Sequence, residues 1–292
     1  MQKIKPHLWF ATEAKEAAAL YASLFPDSKV TNVTTITGTP SGDADIVNFT
    51  LAGQEFMAIS AGPFFKLNPS ISLFVTFDTE AAVAATWNKL IEGGKALMPF
   101  NTYPWAKKYG WLQDKYGLTW QLSWNDDGTT PNITPLLMFT QGVAGKAKEA
   151  IETYTKLFPD SKIDMTVPYE KGERDTEGFL KHARFTLAGQ NFMAMDSSGP
   201  HQFMFNEAFS LVVSCDTQDE IDRYWSALSA VPESEQCGWL KDKYGVSWQI
   251  VPAVMGTMMS SGNKEKIARI TQAFLKMKKF DIKTLEEAYN AT

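Results

Sequence analysis

The stretch GWLQDKYGLTWQL at residues 110–122 returns almost unchanged as GWLKDKYGVSWQI at residues 238–250. Two more pairs frame it, LFPDSKV at 24–30 with LFPDSKI at 157–163, and FTLAGQEFMA at 49–58 with FTLAGQNFMA at 185–194. The three pairs are identical at 24 of 30 positions, where unrelated sequence would agree at about two, so the chain is a duplication. Offsets of 133, 136 and 128 residues describe a repeated domain, not a solenoid unit. Leu90 to Gly110 spans 20 residues where Leu228 to Gly238 spans 10, so the first copy carries a loop of ten extra residues around Pro99 to Tyr109. The copies meet in NDDGTTPN at 125–132, a polar stretch of linker composition.

Outward from the motif, residues 110–113 and 118–124 read as a hairpin closed by Asp114-Lys115-Tyr116-Gly117. Upstream, residues 7–10 read as a strand and 13–24 as a helix, with Thr12 as its N-cap and Pro26 beyond its end. Residues 30–37, 45–51 and 55–60 alternate as strands, the last two joined by the turn Ala52-Gly53-Gln54, and a strand at 71–77 precedes a helix at 79–92. Strand, helix, then several strands, twice per half, predicts an α+β protein: tandem domains, four βαβββ units and curved, mixed sheets. The domains are expected at 1–128 and 132–262. A tail at 263–292 has Ile267, Ile270, Phe274 and Met277 at helical spacing and no counterpart in the first copy, so it is expected to pack outside or to bridge the halves.

Composition excludes several classes of function. A chain of 292 residues with 44% hydrophobic and 21% charged residues folds as a globular protein. Its net charge of −5 provides no field for nucleic acid or an anionic membrane. Two cysteines, Cys215 and Cys237, are too few for a disulfide framework, residues 1–10 lack a signal-peptide core, and no apolar run is long enough to span a bilayer. A cytoplasmic protein with a small-molecule partner is expected.

The paired βαβββ pattern resembles the vicinal oxygen chelate superfamily of glyoxalase I, extradiol dioxygenases and fosfomycin-resistance proteins. More narrowly, Phe192-Met193-Ala194, Gly199-Pro200-His201, Phe205-Asn206-Glu207 and Cys237-Gly238-Trp239-Leu240-Lys241-Asp242 with Ser247-Trp248-Gln249 resemble its PhnB-like branch. Members of that branch are often labelled 3-demethylubiquinone-9 3-methyltransferase. The resemblance implies two units per half curling into a half-open barrel with the site on its concave face, and frequently a homodimer. Methyl transfer from S-adenosylmethionine usually needs a glycine-rich turn between strand and helix, and the chain has none.

A divalent metal in the superfamily is held by a first-strand residue and a last-strand Glu, where it acts as a Lewis acid. The last-strand positions here are Gln121 and Gln249, and the first-strand candidate is His7, whose repeat partner is Leu136. His7 and Gln249 are thus the candidate metal ligands, and the only other histidines are His182 and His201. In the second copy, His201 and Glu207 are the candidate catalytic groups at the mouth of the concavity. Gln249, Asn206, Ser247, Trp239, Phe203, Phe205 and Cys237, with Gln121 in the first copy, are the candidate substrate-binding residues. Alternation puts Ser247 and Gln249 on one face of the last strand and Trp248 on the other. Three readings follow: a protein that binds a small apolar or amphipathic molecule, with or without transforming it, a non-catalytic sequestering protein of the bleomycin-resistance type, and a structural dimer with vestigial pockets.

Overall fold

The computed structural model describes residues 2–39, 42–128 and 132–291, so part of the stretch read as a linker at 125–132 lies outside the described residues. The first unit comprises β1 (Ile4–Phe10), α1 (Ala14–Ala22), β2 (Lys29–Thr39), β3 (Gly42–Leu51) and β4 (Gln54–Ser60). The second comprises β5 (Ile71–Phe77), α2 (Glu80–Leu90), β6 (Lys95–Tyr103), β7 (Ala106–Gln113) and β8 (Thr119–Trp124). In the second copy, β9 (Asn132–Phe139), α3 (Ala147–Leu157), β10 (Lys162–Pro168), β11 (Leu180–Leu187) and β12 (Gln190–Asp196) form the third unit. The fourth has β13 (Phe209–Cys215), α4 (Gln218–Leu228), β14 (Trp239–Lys241) and β15 (Ser247–Pro252).

Several expectations are corrected. The fourth unit is one strand short of βαβββ. The ten extra residues of the first copy are not a loop but most of the β6–β7 hairpin, for which the shorter second copy has no chain to spare. Glu13, not Thr12, stands at the N-cap of α1. The tail is three helices, α5 (Ala253–Met259), α6 (Lys264–Phe274) and α7 (Ile282–Asn290).

The strands form two mixed sheets, ordered β14-β15-β13-β1-β4-β3-β2 and β10-β11-β12-β9-β5-β8-β7-β6. Each crosses the repeat boundary, which corrects the expectation that each half curls its own two units into one barrel. In the first sheet β1 pairs antiparallel with β13, His7 opposite Ser210; in the second β5 pairs antiparallel with β9, Ser72 opposite Leu136. Packing within each half explains the exchange. Tyr21 and Phe25, from α1 and the segment after it, lie against Trp120 of β8, and Tyr154 and Phe158 lie in the same way against Trp248 of β15. Units of one half are thereby joined through their helices, which leaves the edges of β1 and β5 to pair across the chain.

Both sheets are strongly curved. Trp239 on β14 lies three strands from β1, about 14 Å on a flat sheet, yet its ring is 5.4 Å from His7 and 6.1 Å from Trp9. The helices pack with the convex faces into one continuous core that includes Trp120, Trp248, Tyr21 and Tyr154. The concave faces are left free of the helices.

The repeated motif has a structural reason. Asp242 is buried and accepts four hydrogen bonds, from Tyr154 Oη (2.6 Å), Trp248 Nε1 (2.8 Å), Tyr244 N (2.9 Å) and Val246 N (3.0 Å). Asp114 accepts the matching four from Tyr21, Trp120, Tyr116 and Leu118. Each carboxylate therefore closes its turn and ties a helix to the last strand. The Gln of the AGQ turn is a clamp between sheets: Gln54 Nε2 donates to Ile133 O, and Gln190 Oε1 accepts from Ile4 N.

The tail covers the edge where the fourth unit lacks a strand. Cys237 N donates to Met277 O and Gly238 N to Lys278 O, at 2.8 and 2.7 Å. Gly238 has φ +82°, and a Cβ there would lie 2.5 Å from the Phe280 ring. Gly238→Ala should cost about 2 kcal/mol through strain and overpacking. Hydrogen exchange should show α6 and α7 losing protection before the sheets do; equal protection would mean that the tail is held elsewhere.

Candidate functional site

On the concave face of the first sheet the register aligns Lys241, Ser247, Ser210, His7 and Met57 on neighbouring strands. Gln249 lies beside Val212 and Trp239 on the same face. Gln249 Nε2 donates to Ser210 Oγ at 3.0 Å, and Ser210 Oγ lies 3.3 Å from His7 Nδ1. With its oxygen accepting from Gln249, the Ser210 hydroxyl has its proton free for His7 Nδ1, which leaves the imidazole proton on Nε2. Burial pushes the His7 imidazole down to about 3, so it is neutral near pH 7. Among the described residues the buried Ser247 hydroxyl has no hydrogen-bond partner, and Gln249 Oε1, which is not fully buried, accepts no hydrogen bond. At the rim Lys241 pairs with Glu207 at 2.8 Å, and Trp9 packs between Trp239 and Phe65.

The second concave face is built differently. Gln121 Nε2 donates to Ser72 Oγ and its Oε1 accepts from Tyr109 Oη, both at 2.8 Å, so this amide is engaged at both ends. Leu136, where the first sheet has His7, joins Met138 and Met193 in an apolar cluster against which Phe74, Trp111, Met195 and Phe203 pack.

The residues singled out from sequence therefore divide between two faces. His7, Ser247, Gln249, Trp239 and Glu207 meet on the first sheet, although His7 comes from the opposite half of the sequence. Gln121 and Phe203 belong to the second. His201 is near Phe203, its ring 4.8 Å away and its Nε2 2.8 Å from Ser197 Oγ, so it does not join Glu207. Asn206 ties loops together, donating to Lys66 O and accepting from Ala208 N, as Asn68 does with Met204 O and Ser70 N. Phe205 is buried in the core against Phe139. Cys237 packs with the tail, its Sγ 3.5 Å from Phe274 O, and burial pushes its thiol up. Sequence reasoning missed Ser210 and Met57. The serine repeated at the second position of β5 and β13, Ser72 and Ser210, was the available signal for the former.

The first face does not fit a divalent metal. Hard divalent ions take several oxygen ligands, carboxylates foremost, and zinc-type sites three or four His, Cys or carboxylate groups. His7 and Gln249 bring one imidazole and one amide, beside Ser210 and Met57, and the neighbouring carboxylate of Glu207 is paired to Lys241. Among the described residues no group of three or more His, Cys, Asp or Glu side chains converges on a point.

Two curved mixed sheets, each built from two strand–helix–strand units, define a glyoxalase-type α+β protein. Glyoxalase I from Zea mays shares this fold with a TM-score of 0.56 at 11% identity, covering 89% of this chain and 98% of that one. The family model described as 3-demethylubiquinone-9 3-methyltransferase matches residues 2–123 and again 131–251. The PhnB protein of Bacillus cereus, described by the same methyltransferase name, is 39% identical over 42% of this chain and 100% of its own, with a TM-score of 0.40. The chain belongs to this PhnB-like family and carries its domain twice in tandem. No curated protein matches it. Among the described residues no helix is long and apolar enough to cross a membrane.

Proposed function

We propose that the protein binds and sequesters a small, mainly apolar molecule on the concave face of the first sheet, without a metal and without transforming it. The observation that carries this reading is the buried Ser247 hydroxyl, which has no partner among the described residues, with Gln249 Oε1 beside it open to a donor. A buried polar group without a partner costs about 1–3 kcal/mol, and a ligand that supplies the partner recovers it. The matching amide on the second sheet, Gln121, has Tyr109 in that role. Trp9, Trp239, Met57 and Val212 would supply the apolar walls that small-ligand sites use.

Catalysis has less support. A His7 imidazole held near 3 is a poor general base at neutral pH, and the face gathers no second titratable group that is free of an ion pair. The methyltransferase name of the family finds no glycine-rich cofactor turn in this chain. A cytoplasmic location and a homodimer belong to the same reading.

A second reading has its own observation: Trp9 and Trp239 pack over His7, and the pocket is then closed and vestigial. A melting-temperature screen against uncharged, non-aromatic small molecules separates the two. Sequestration predicts compounds that raise the midpoint by mass action, with Gln249→Ala losing at least tenfold in affinity while melting within a few degrees of the parent. If the hits bind Gln249→Ala as well as the parent, the site assignment fails; if no compound shifts the midpoint, the vestigial reading holds.

A further inference from the structure

The chain has only four arginines. Two serve helix ends: Arg223 donates to Leu157 O at the end of α3, and Arg269 to Ala288 O and Tyr289 O at the end of α7. The other two, Arg174 and Arg184, make no salt bridge among the described residues, and Arg184 stands on the second concave face. Arg184 lies on β11 directly opposite Met193 of β12, which in turn lies opposite Leu136 of β9. Its Nε donates to His182 Nε2 at 3.3 Å, and burial together with the Arg184 charge holds that imidazole down at about 4, so it is a neutral acceptor and leaves the cation uncompensated. Arg174, in the loop between β10 and β11, has the carboxylates of Glu173 and Asp175 beside it, which its charge helps to hold down, so it is not a free cation. In a chain of net charge −5, an arginine with no carboxylate partner on a concave face is a local positive site.

The walls of this face suit a flat ring. Met138, Met193 and Met195 lie with Phe74, Trp111 and Phe203, and thioether sulfur packs well against aromatic rings. The inserted β6–β7 hairpin adds Tyr103, Trp105 and Tyr109, whose rings lie 5.0–6.0 Å from one another, with Trp105 largely exposed at the rim. Trp111 Nε1 is buried in this face and has no hydrogen-bond partner among the described residues.

We infer that this second concave face is a separate binding site for an aromatic carboxylate or sulfonate, its ring among the methionines and aromatics and its anion on Arg184. The first face, where Lys5 and Lys241 are each paired with a carboxylate, has no comparable free cation among the described residues. This inference does not depend on what the first face binds.

Calorimetric titration of the full chain with 2-naphthoate and with uncharged 2-naphthamide tests it. The naphthoate should bind at micromolar to sub-millimolar concentration and at least tenfold more tightly than the amide. Arg184→Gln, an exposed position outside the core, should remove that preference while retaining the weaker amide binding. Trp111→Phe, which keeps the ring and removes the N–H, should weaken both several-fold. Gln249→Ala should leave naphthoate binding unchanged. No binding at millimolar concentration, equal affinity for acid and amide, an unaltered preference in Arg184→Gln, or loss of naphthoate binding in Gln249→Ala would each overturn the inference.

Discussion

Asp242→Ala should lower stability by about 4 kcal/mol, a large part of the 5–15 kcal/mol typical of a folded domain. The substitution strands four buried donors, the Tyr154 hydroxyl, the Trp248 indole N–H and the backbone N–H groups of Tyr244 and Val246. Each unpartnered donor costs about 1–3 kcal/mol, reduced by whatever relaxation or water the shortened side chain admits. Asp242→Asn keeps an oxygen for the backbone donors but turns an NH2 towards the other two, so about 2 kcal/mol is expected. Asp114→Ala should match Asp242→Ala, because Asp114 has the same four partner types. Urea unfolding reads the effect as a lower midpoint at unchanged slope. A loss below about 1 kcal/mol would mean that the DKYG turn is held by its backbone alone and that the repeated Asp has another task.

Acid should destabilise the protein well before its carboxylates titrate. His7 is held at about 3 by burial, and His182 at about 4 by burial and the Arg184 charge. Both folded values lie below the unfolded value of about 6.5, so the unfolded chain takes up protons that the folded chain refuses. The stability is present in full above pH 6.5 and is lost as pH falls from there towards 4 for His182 and 3 for His7. By linkage, each histidine should withdraw about 2 kcal/mol between pH 7 and pH 5. His7→Gln should halve that slope, whatever it does to stability at pH 7. A stability profile that is flat from pH 7 to 5 would show that the imidazoles are open to solvent and would remove the description of His7 as a buried neutral group.

Much of the fold was legible because duplication marks its own boundaries. The hairpins, the helices and the alternation of Ser247, Gln249 and Trp248 follow from local spacing, and strand and helix periods are local properties. Which strands pair is not local. Nothing near His7 signals that β1 joins β13 of the other copy, since that choice comes from Tyr21 and Tyr154 binding each half together at its back. For this reason the residues chosen as one site in the second copy fall on two faces, and His7 joins Gln249 across the repeat. Asn206 and Phe205 were legible as special positions, but their sequence could not show that a loop clasp and a core contact already engage them. The position of Cys237 followed from the repeat, whereas its contact with the tail helices, which have no counterpart, did not.

The central claim is a small-molecule site on the first sheet anchored by Ser247 and Gln249 and not by a metal. Elemental analysis of the purified protein, followed by melting-temperature titration of the chelator-treated chain with Ni2+, Zn2+, Mn2+ and Fe2+, tests it most directly. The account predicts metal far below one equivalent, no midpoint shift with any ion, and shifts with uncharged, non-aromatic small molecules that persist in chelator and disappear in Gln249→Ala. Near-stoichiometric metal, or an ion-dependent shift abolished by His7→Gln, would contradict it.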